Sequence, residues 1–494
     1  MMDGLESVVF TGIPIAYLLH IIISLVLTIQ ILLDNKLPQS SIAWILALYL
    51  FPYIGPAFYL ISGVNWKRKR IVQQRPEELF GTYLKPALDH QQQYIAREYD
   101  RLDNDVVKTL HMNLFSSNAL ITIHNEVRVY HAGEPLFEHL FEDLRRAERT
   151  IHLEYFIYRD DTLGEELYEI LAERCAAGVE IKLLVDGFGS MFTLSPRGKW
   201  KLQKAGVQLR SFLNPKNIIG AWMINYSNHR KIVVIDGKIA YTGGMNVGRE
   251  YLDGGDRFPR WRDTHLRLEG ESVGLLQSVF LADWMNSGGK LDSLEHYFSM
   301  EAWDPDDTGE GPNLPAQIIC SGPDSTWYAI QHLYFNLIAN ADEKVYIQSP
   351  YFVPDDGIKT ALETAALSGI DVRLMVTGMP DKRIPFWAAH TYFHNLLEAG
   401  VKIYMYTGGF LHSKMIVVDD MIVTTGSCNM DVRSFFLDYE LNMVFFDEGM
   451  GREFSREFEQ DMEQCTELTA DEFEKTGILK NLRNSVCRVF SPLL

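Results

Sequence analysis

Two short stretches of the chain carry histidine and lysine at the same spacing. Both "NHRKIVVIDG" from Asn228 and "LHSKMIVVDD" from Leu411 contain His-x-Lys-x-x-x-x-Asp and continue into β-branched apolar residues. Side chains alternate between the faces of a strand, so each His shares a face with its Lys. An imidazole can act as a nucleophile or general acid/base, and an ammonium group can neutralise an anionic oxygen. The reactive candidates are His229, Lys231, His412 and Lys414.

The aspartates of the two stretches have a different expected role. The repeated pattern includes Asp236 and Asp419 in the catalytic set. However, Asp236 has the opposite strand parity to the His-Lys pair and is followed by Gly237, which is typical of a turn that closes a hairpin. We therefore expect the aspartates to be structural.

Glycine and asparagine follow each histidine at fixed distances. Glycine lies 14 residues on and asparagine 17 residues on, within "TGGMN" in one copy and "TGSCN" in the other. Such glycines let the backbone approach a ligand closely, and an Asn side chain supplies a neutral donor. The residues concerned are Gly243, Gly426, Asn246 and Asn429.

The chain around these motifs repeats an α/β pattern. "IHLEYFIYRDDTLG" from Ile151 resembles "VYIQSPYFVPDDG" from Val345, and "AAGVEIKLLV" resembles "LSGIDVRLMV". "LQKAGVQL" resembles "LLEAGVKI", and a His-Lys stretch follows in each half. A strand, a helix ending in glycine and another strand, repeated, indicate βαβ units on a largely parallel sheet.

The composition argues against general binding of nucleic acid. The 494 residues suffice for two or three domains, and 47% of them are hydrophobic. The net charge of −19 opposes binding to a phosphate backbone. Five widely separated cysteines fit a reducing compartment, with neither a disulfide framework nor a zinc site.

Much of the acidic excess lies near the C-terminus. Residues 447–474 contain 11 acidic and two basic residues. Apolar residues recur among them at helical spacing, which predicts an amphipathic surface helix with a solvated acidic face. These residues are Phe454, Phe458, Met462 and Cys465.

The N-terminal region predicts a membrane hairpin. Ile13–Leu33 and Ser41–Ser62 carry no charged residue over 21 and 22 positions, and about 20 apolar residues span a bilayer. The acidic residues Asp3 and Glu6 argue against a cleaved signal peptide. Two prolines and a glycine predict a kink in the second segment, and a re-entrant hairpin remains an alternative. The basic run "WKRKR" at 66–70 predicts a cytoplasmic position for this side and an attraction to anionic head groups.

The two copies of His-x-Lys-x-x-x-x-Asp with the following Gly-Gly/Ser-x-Asn resemble the phospholipase D superfamily. Within it, the membrane spans, "WRDTHLRLEG", "GFLHSK", "DVRSF" and the terminal "SPLL" resemble bacterial cardiolipin synthases. The resemblance covers essentially the whole chain. It implies two phospholipase D-like α/β repeats, with mixed, largely parallel sheets packed about a pseudo-twofold axis. We expect a transmembrane hairpin at 1–65, a basic linker at 66–104, and catalytic halves at 105–314 and 315–494.

In that arrangement both His-Lys faces would meet in one cleft, a set of groups that suits a phosphodiester. Lys231 and Lys414 would neutralise the non-bridging oxygens, with the two Asn amides as further phosphate ligands, so we expect neither a metal nor a cofactor. The resemblance assigns His229 as the nucleophile and His412 as the acid/base. The residues alone do not make that choice.

Each imidazole needs an acceptor that orients its other nitrogen. Glu440 in "DYELN" lies 28 residues after His412 and matches the family's carboxylate. Asp263 in "WRDTH" is the best equivalent in the first half, and Glu250 is a weaker candidate. Among the other histidines, structural roles are expected for His20, His390 and His394.

The resemblance implies a membrane phosphatidyltransferase that converts two phosphatidylglycerol molecules to cardiolipin and glycerol. Its partners would be phosphatidylglycerol and anionic membrane lipid, not nucleic acid. It would be a multi-pass protein of the bacterial inner membrane with its catalytic body in the cytoplasm. The alternatives are a phospholipase D that uses water, a transferase with another alcohol acceptor, a membrane-tethered nuclease and a non-catalytic scaffold. The acidic balance opposes the nuclease, the intact motifs oppose the scaffold, and the oligomeric state stays open.

Overall fold

A computed structural model describes residues 2–34, 38–63, 104–213, 226–291, 294–298, 313–470 and 477–489. These residues form two compact units. One contains the N-terminal helices, and the other contains the α/β body with both His-Lys stretches.

The N-terminal unit is helical. It consists of α1 (Met2–Leu33), α2 (Pro38–Leu50), α3 (Ile54–Phe58) and a π-helical turn (Tyr59–Gly63). The first two helices pack against each other, since Leu27 and Ile31 cluster with Leu48. The hydroxyl of Ser24 also donates to the carbonyl of Leu48 at 3.4 Å, which joins the helices by a polar contact.

Among the described residues, one helix is long and apolar enough to cross a membrane, over Ile15–Leu33. The second predicted segment is interrupted after Leu50, and its next helix begins at Ile54. Because α2 has 13 residues, it is about 20 Å long, against about 30 Å for the hydrocarbon core of a bilayer. The two-span hairpin is therefore not confirmed, and the basic run at 66–70 lies outside the described residues.

Strands and helices alternate through most of the body. Its strands are β1 Ile121–Thr122, β2 Asn125–Tyr130, β3 Thr150–Tyr155, β4 Glu180–Asp186, β5 Gln208–Phe212, β6 Ser227–Asn228, β7 Ile232–Ile235, β8 Ile239–Gly243, β9 Trp261–Arg262, β10 His265–Gly270, β11 Ala316–Ser321, β12 Lys344–Gln348, β13 Phe352–Val353, β14 Asp371–Thr377, β15 Lys402–Tyr406, β16 Phe410–Leu411, β17 Met415–Val418, β18 Ile422–Gly426, β19 Met430–Asp431, β20 Asp438–Phe446 and β21 Cys465–Leu468. Its α-helices are α4 Asn104–Ser117, α5 Gly133–Arg146, α6 Thr162–Ala176, α7 Pro196–Ala205, α8 Glu250–Asp253, α9 Glu271–Asn286, α10 Ala329–Ala339, α11 Asp356–Leu367, α12 Arg383–Ala399, α13 Val432–Phe436, α14 Glu448–Met462 and α15 Ile478–Val489, with a 3₁₀ turn at Leu294–His296.

The two large sheets repeat one strand order. The first is β2-β10-β8-β7-β3-β4-β5, and the second contains β11-β20-β18-β17-β12-β14-β15 within a ten-stranded sheet. The second sheet is extended by β1 at one edge and β21 at the other, and β6 pairs with β20. The sequence repeat therefore corresponds to a repeated α/β fold.

The sheets are mixed, as predicted, but they are not largely parallel. In each repeat the strands joined through helices pair in parallel, namely β3-β4-β5 and β12-β14-β15, and β6 adds one parallel pairing to β20. The remaining neighbours pair antiparallel. The reason is connection length, because three residues join β7 to β8 and so short a link permits only a hairpin.

The segment before β2 packs with the second sheet. Val106, Leu110 and Ile121 belong to the same core as Ile319 and Val345. Strand β1 also pairs with β11. The predicted first half at 105–314 thus begins with residues that stabilise the second half.

The predicted acidic helix near the C-terminus is present but shorter. Helix α14 ends at Met462, and Cys465 begins strand β21 rather than another helical turn. Phe454 and Phe458 are fully buried, as the helical spacing predicts.

Candidate active site

Both His-Lys stretches lie between a two-residue strand and a buried hairpin strand. His229 follows β6, and its backbone N–H donates to the carbonyl of Tyr439 at 2.9 Å. His412 follows β16, and its N–H donates to the carbonyl of Arg262 at 2.7 Å. Each histidine is therefore held by backbone from the opposite half of the sequence.

The carboxylates that orient the imidazoles are exchanged between the halves. Glu440 of the second half lies 3.0 Å from Nδ1 of His229 in the first half. Asp263 of the first half lies 2.6 Å from Nδ1 of His412 in the second half. Both carboxylates are completely buried. The structure thus brings the two predicted orienting residues to the histidines, crossed between the halves.

The hydrogen bonds also fix the tautomer of each imidazole. Nδ1 of His229 lies 3.0 Å from the carbonyl oxygen of Ser427, which can only accept, so Nδ1 carries the proton. Nδ1 of His412 lies 2.6 Å from the ionised carboxylate of Asp263, which can only accept, and 2.8 Å from the Lys414 ammonium, and the shorter contact favours a proton on Nδ1. The Nε2 lone pair of each ring is therefore available for chemistry, and no hydrogen bond to either Nε2 occurs within the described part of the chain.

The pair of His412 and Asp263 lies in a field of positive charge. Burial alone would raise the pKa of Asp263, but the charges of Lys414 and His412 outweigh it and lower that pKa to about 2. Burial and the Lys414 ammonium lower the pKa of His412 to about 4, opposed by the Asp263 carboxylate. Asp263 is consequently an anion at neutral pH, and it accepts a hydrogen bond from Nδ1 of the neutral His412 ring.

The pair of His229 and Glu440 has a different protonation balance. Burial raises the pKa of Glu440 to about 7, although Lys231 and the hydroxyl of Ser427 lower it. The Ser427 hydroxyl donates to Glu440 directly. Burial and the charges of Lys231, Lys414 and His412 hold the pKa of His229 well below its usual range. His229 is therefore neutral at neutral pH.

The lysines lie beside the imidazoles with depressed pKa values. Burial lowers the pKa of Lys231 to about 7 and that of Lys414 to about 8. Each ammonium group donates to the carbonyl of the histidine two residues before it. The charge of each lysine acts on the imidazole of the other motif, so both motifs share one electrostatic site.

Aromatic rings wall the site on both sides. The ring of Phe156 meets His229 edge-on with 4.9 Å between centroids. Beside His412 lie Trp261 at 5.2 Å and Phe410 at 5.6 Å. These rings exclude water from one face of each imidazole, which strengthens the electrostatic interactions within the site.

The two asparagines predicted to bind phosphate are both buried, but their contacts differ. The oxygen of Asn246 accepts from the N–H of Ile157 at 3.0 Å, and its amide group donates to the hydroxyl of Tyr251 at 2.8 Å. The oxygen of Asn429 has no hydrogen-bond partner among the described residues. Asn246 therefore braces the surrounding loop, whereas the Asn429 amide keeps more of its hydrogen-bonding capacity for a ligand.

The two motif aspartates belong to the fold rather than to the chemistry. The carboxylate of Asp236 accepts from three successive backbone N–H groups at 148–150, at 2.7–2.9 Å. Asp419 does the same at 342–344, at 2.8–2.9 Å. Both adopt positive φ, 54° and 52°, as turn residues after the buried strand. Their inclusion in the catalytic set is corrected, because each carboxylate is saturated by backbone donors at the start of β3 or β12.

Other candidates lie outside the catalytic contacts. Glu250 pairs with Arg159 rather than with an imidazole. The ring of His20 lies 3.4 Å from the Ser24 hydroxyl in the N-terminal unit. On α12, His390 bonds to the carbonyl of Phe386, and His394 lies 3.6 Å from Glu398.

One functional residue was missed by the sequence interpretation. Ser427 supplies both a carbonyl to His229 and a hydroxyl to Glu440. Its signal was one of the two differences between "TGGMN" and "TGSCN", namely the position that Gly244 and Ser427 share. A Cβ on Gly244 would lie 2.0 Å from the Asp263 carboxylate, so this position must be glycine in the first copy.

The polar groups of the candidate site are chiefly imidazole and ammonium groups. Within the described ranges, no group of three or more His, Cys, Asp or Glu side chains is arranged to hold a metal ion. Two neutral imidazoles with free Nε2 atoms and two buried ammonium groups can instead attack a phosphodiester and stabilise the charge that develops.

The chain matches known families over most of its length. Residues 140–256 and 334–463 match the family described as "Cardiolipin synthase, PLD-like domain". Residues 22–63 match the family described as "Phospholipase D-nuclease N-terminal". Both sheets of the body contribute to the first match, and it contains all four reactive candidates.

Individual relatives agree with this assignment. Cardiolipin synthase 2 of Bacillus cereus is 40% identical over 467 residues, covering 94% of this chain and 88% of the relative. A cardiolipin synthase of Halalkalibacterium halodurans is 38% identical over 475 residues, covering 94% and 91%. The crystal structure of a phosphatidylserine synthase from Haemophilus influenzae aligns with a TM-score of 0.59 at 14% identity, covering 78% of this chain and 100% of that one, and shares the fold. The resemblance in the motifs is thereby confirmed, and the chain belongs to the cardiolipin synthase family of phospholipase D-like enzymes.

Proposed function

We propose that this enzyme transfers a phosphatidyl group from one phosphatidylglycerol molecule to a second, releasing glycerol and forming cardiolipin. The observation that carries the proposal is the crossed pair of imidazoles, each oriented by a buried carboxylate from the other half. The names of the relatives supply the product. The anionic substrate agrees with two buried lysines in one site.

In the first step, Nε2 of His229 attacks the phosphorus of the donor lipid. A nitrogen–phosphorus bond forms while the bond to the glycerol oxygen breaks, and His412 delivers a proton to that oxygen. The negative charge of the bound phosphodiester offsets the positive charges of the lysines. It therefore raises the pKa of His412 in the complex and favours the protonated form. The product of this step is phosphatidyl-His229 with free glycerol.

In the second step, the primary hydroxyl of another phosphatidylglycerol attacks the phosphohistidine. The neutral His412 takes the hydroxyl proton, the new oxygen–phosphorus bond forms, and the bond to His229 breaks. His229 and His412 thereby return to their starting protonation states. Lys231, Lys414 and the Asn429 amide stabilise the non-bridging oxygens in both steps.

The difference between the two imidazoles supports this division of roles. His229 is neutral, as a nucleophile must be, and it faces a carboxyl group whose pKa is raised to about 7. His412 faces a fully ionised Asp263, which favours the uptake and release of a proton. The repeated strand order and the reciprocal contacts support a pseudo-twofold arrangement of the two halves.

The proposed location is the bacterial inner membrane, with a multi-pass N-terminal segment and a cytoplasmic catalytic body. The apolar helix over Ile15–Leu33 and the basic run at 66–70 support it. Proteolysis of inside-out and right-side-out vesicles tests the orientation. Cleavage beyond the basic run only from the outer side would exclude a cytoplasmic body.

Hydrolysis is the competing function, because water can also attack a phosphohistidine. Positioning of the acceptor favours transfer, and it can be worth about 7–11 kcal/mol in a well-oriented reaction. The test is to incubate full-length protein in phosphatidylglycerol vesicles with labelled donor and to identify the lipid products. Cardiolipin as the main product supports the transferase, whereas mainly phosphatidic acid would establish a hydrolase.

The same assay tests the proposed absence of a metal requirement. Activity should persist after exhaustive chelation, since two lysines supply the positive charge. Complete loss that a single divalent cation restores would contradict this part of the mechanism.

A further inference from the structure

The last helix of the catalytic body presents an apolar stripe to solvent. Helix α15 spans Ile478–Val489, and five of its apolar side chains are between 49% and 86% exposed. At 100° per residue, all five fall within one 100° sector of the helix. The five residues are Ile478, Leu479, Leu482, Val486 and Val489.

The opposite side of α15 holds it on the body. Asn484 and Cys487 are buried, and Cys487 belongs to the core of the second sheet. The guanidinium of Arg483 lies 4.3 Å from the ring centroid of Trp387, and that of Arg488 lies 4.7 Å from the ring centroid of Tyr392. The apolar stripe is thus a fixed outward face of a docked helix, rather than a core surface that has lost its partner.

The charge of this helix is opposite to that of the whole protein. Its twelve residues include Lys480, Arg483 and Arg488 and no acidic residue, whereas the net charge of the chain is −19. An apolar stripe with flanking cations is the composition of a helix that lies in the interface of an anionic bilayer.

The beginning of the helix lies toward the end of α12 that borders the catalytic site. The stacked pairs Arg483–Trp387 and Arg488–Tyr392 are each five residues apart on both helices, so α15 and α12 run in the same direction. At the start of α12, Asp381 accepts from the Tyr351 hydroxyl at 2.6 Å and acts electrostatically on Lys414. The most exposed apolar residues of α15, at its beginning, therefore lie toward the catalytic end of α12.

From these observations we infer that α15 is an interfacial anchor. Its apolar stripe inserts at the head-group level of an anionic bilayer and holds the catalytic cleft against the lipid surface. This inference deepens the proposed function, because it names how the body meets a lipid substrate. The occupant is the bilayer surface itself, recognised by apolar side chains and by the flanking cations.

The test uses full-length protein reconstituted in vesicles that contain a phospholipid with a photoreactive acyl chain. Cleavage after acidic residues releases α15 in one C-terminal peptide, since no Asp or Glu follows Glu474. Mass spectrometry then measures lipid attached to that peptide. We expect strong labelling in vesicles rich in phosphatidylglycerol and several-fold less in vesicles of phosphatidylcholine alone.

Two variants make the experiment decisive. The double substitution Leu479→Gln and Leu482→Gln changes exposed side chains without adding a cleavage site, so folding is preserved, and labelling should fall about tenfold. The matched control is Leu367→Gln at the end of α11, where an equally exposed leucine lies outside the stripe and labelling should not change. The inference would be overturned if the α15 peptide of the wild type carried no lipid label, or if the label survived the double substitution. Protection of the helix by a second copy, detected as a Lys480–Lys480 cross-link between chains, would overturn it as well.

The inference and the proposed function fail separately. Protein that makes cardiolipin while its α15 peptide stays unlabelled refutes the anchor alone. Protein that is labelled at α15 but makes no cardiolipin refutes the proposed product alone. A short-chain soluble diester provides a further check, because the double variant should cleave it at the wild-type rate while losing activity on vesicles.

Discussion

His229 and His412 occupy equivalent positions in the two repeats, yet their surroundings differ at two points. His229 faces a glutamate supported by Ser427, and His412 faces an aspartate packed against Gly244. The shorter carboxylate next to glycine is an anion with a pKa of about 2, and the longer one next to serine has a pKa of about 7. One repeated motif therefore carries two imidazoles whose orienting carboxylates differ in protonation.

The asymmetry resides in the supporting residues and not in the motif. Both copies have the same His, Lys and Asp, and the same spacing to Gly and Asn. A sequence pattern that is identical in both halves cannot distinguish a nucleophile from an acid/base. The distinction comes from the carboxylate and from the residue that packs against it.

The largest effect should come from removing the nucleophile. We expect His229→Ala to lower transfer by about 10⁴–10⁶-fold and to abolish acid-labile labelling of the protein by donor lipid. With a donor that has a p-nitrophenol leaving group, His412→Ala should still form the labelled intermediate, because that group departs without a proton. His139→Ala, at a partly buried histidine on α5 whose ring bonds to the Pro135 carbonyl, is the matched control. Label that persists in His229→Ala, or that maps to His412, would reverse the two roles.

The carboxylates should differ in their sensitivity to neutralisation. Asp263 is ionised at pH 7, so Asp263→Asn removes a charge and should lower activity by about 10³–10⁴-fold. Glu440 has a raised pKa of about 7, so it is largely protonated below pH 7 and ionised above it. Glu440→Gln should therefore cost little activity at pH 6 and progressively more above pH 7. Equal losses for the two variants at pH 6, measured from initial rates, would remove the proposed asymmetry.

Exchanging the small supporting residues should give an intermediate effect. In Gly244→Ala the new methyl group would displace the Asp263 carboxylate from His412, with an expected loss of about 100-fold. Ser427→Gly removes a donor to Glu440 and should raise the pKa of that carboxyl further, with a smaller loss of about tenfold. Gly477→Ala, where a Cβ meets no other atom within 4 Å, is the control. If Gly244→Ala retains full activity, the packing between this position and Asp263 is not required.

The smallest effect concerns the lysines and pH. Because burial lowers their pKa values to about 7 for Lys231 and about 8 for Lys414, both ammonium groups lose charge as pH rises through this range. We expect kcat/KM to fall from about pH 7 and to fall more steeply above about pH 8, where both lysines lose their charge. Lys231→Arg keeps its charge throughout and should shift this decline toward higher pH. An unchanged profile in that variant would show that another group controls the alkaline limb.

Much of the site could be predicted from the sequence because the residues concerned lie close together within each repeat. The His-Lys spacing, the later asparagines and the turn role of Asp236 all follow from strand alternation within one repeat. The fold class followed from the repeated strand–helix pattern. The hairpin after β7 was predicted from Asp236 and Gly237, whereas the prediction of largely parallel sheets was wrong, because each hairpin adds an antiparallel strand.

The rest of the site depends on contacts that no local pattern contains. Glu440 is 211 residues from His229 in the chain, and Asp263 is 149 residues from His412. Only the fold establishes that each carboxylate serves the imidazole of the other repeat. The role of Ser427 could not be predicted for the same reason, since a serine in place of a glycine is uninformative until its contact with Glu440 is known.

The crossing of the two carboxylates has a consequence for how such a protein can change over generations. A recombination event that exchanged one repeat for a divergent copy would disturb both histidines at once, because each half encodes the support of the other. The halves cannot be improved independently, and neither can decay without disabling its counterpart. The two repeats therefore evolve as one interdependent unit, although the sequence contains two copies of the motif.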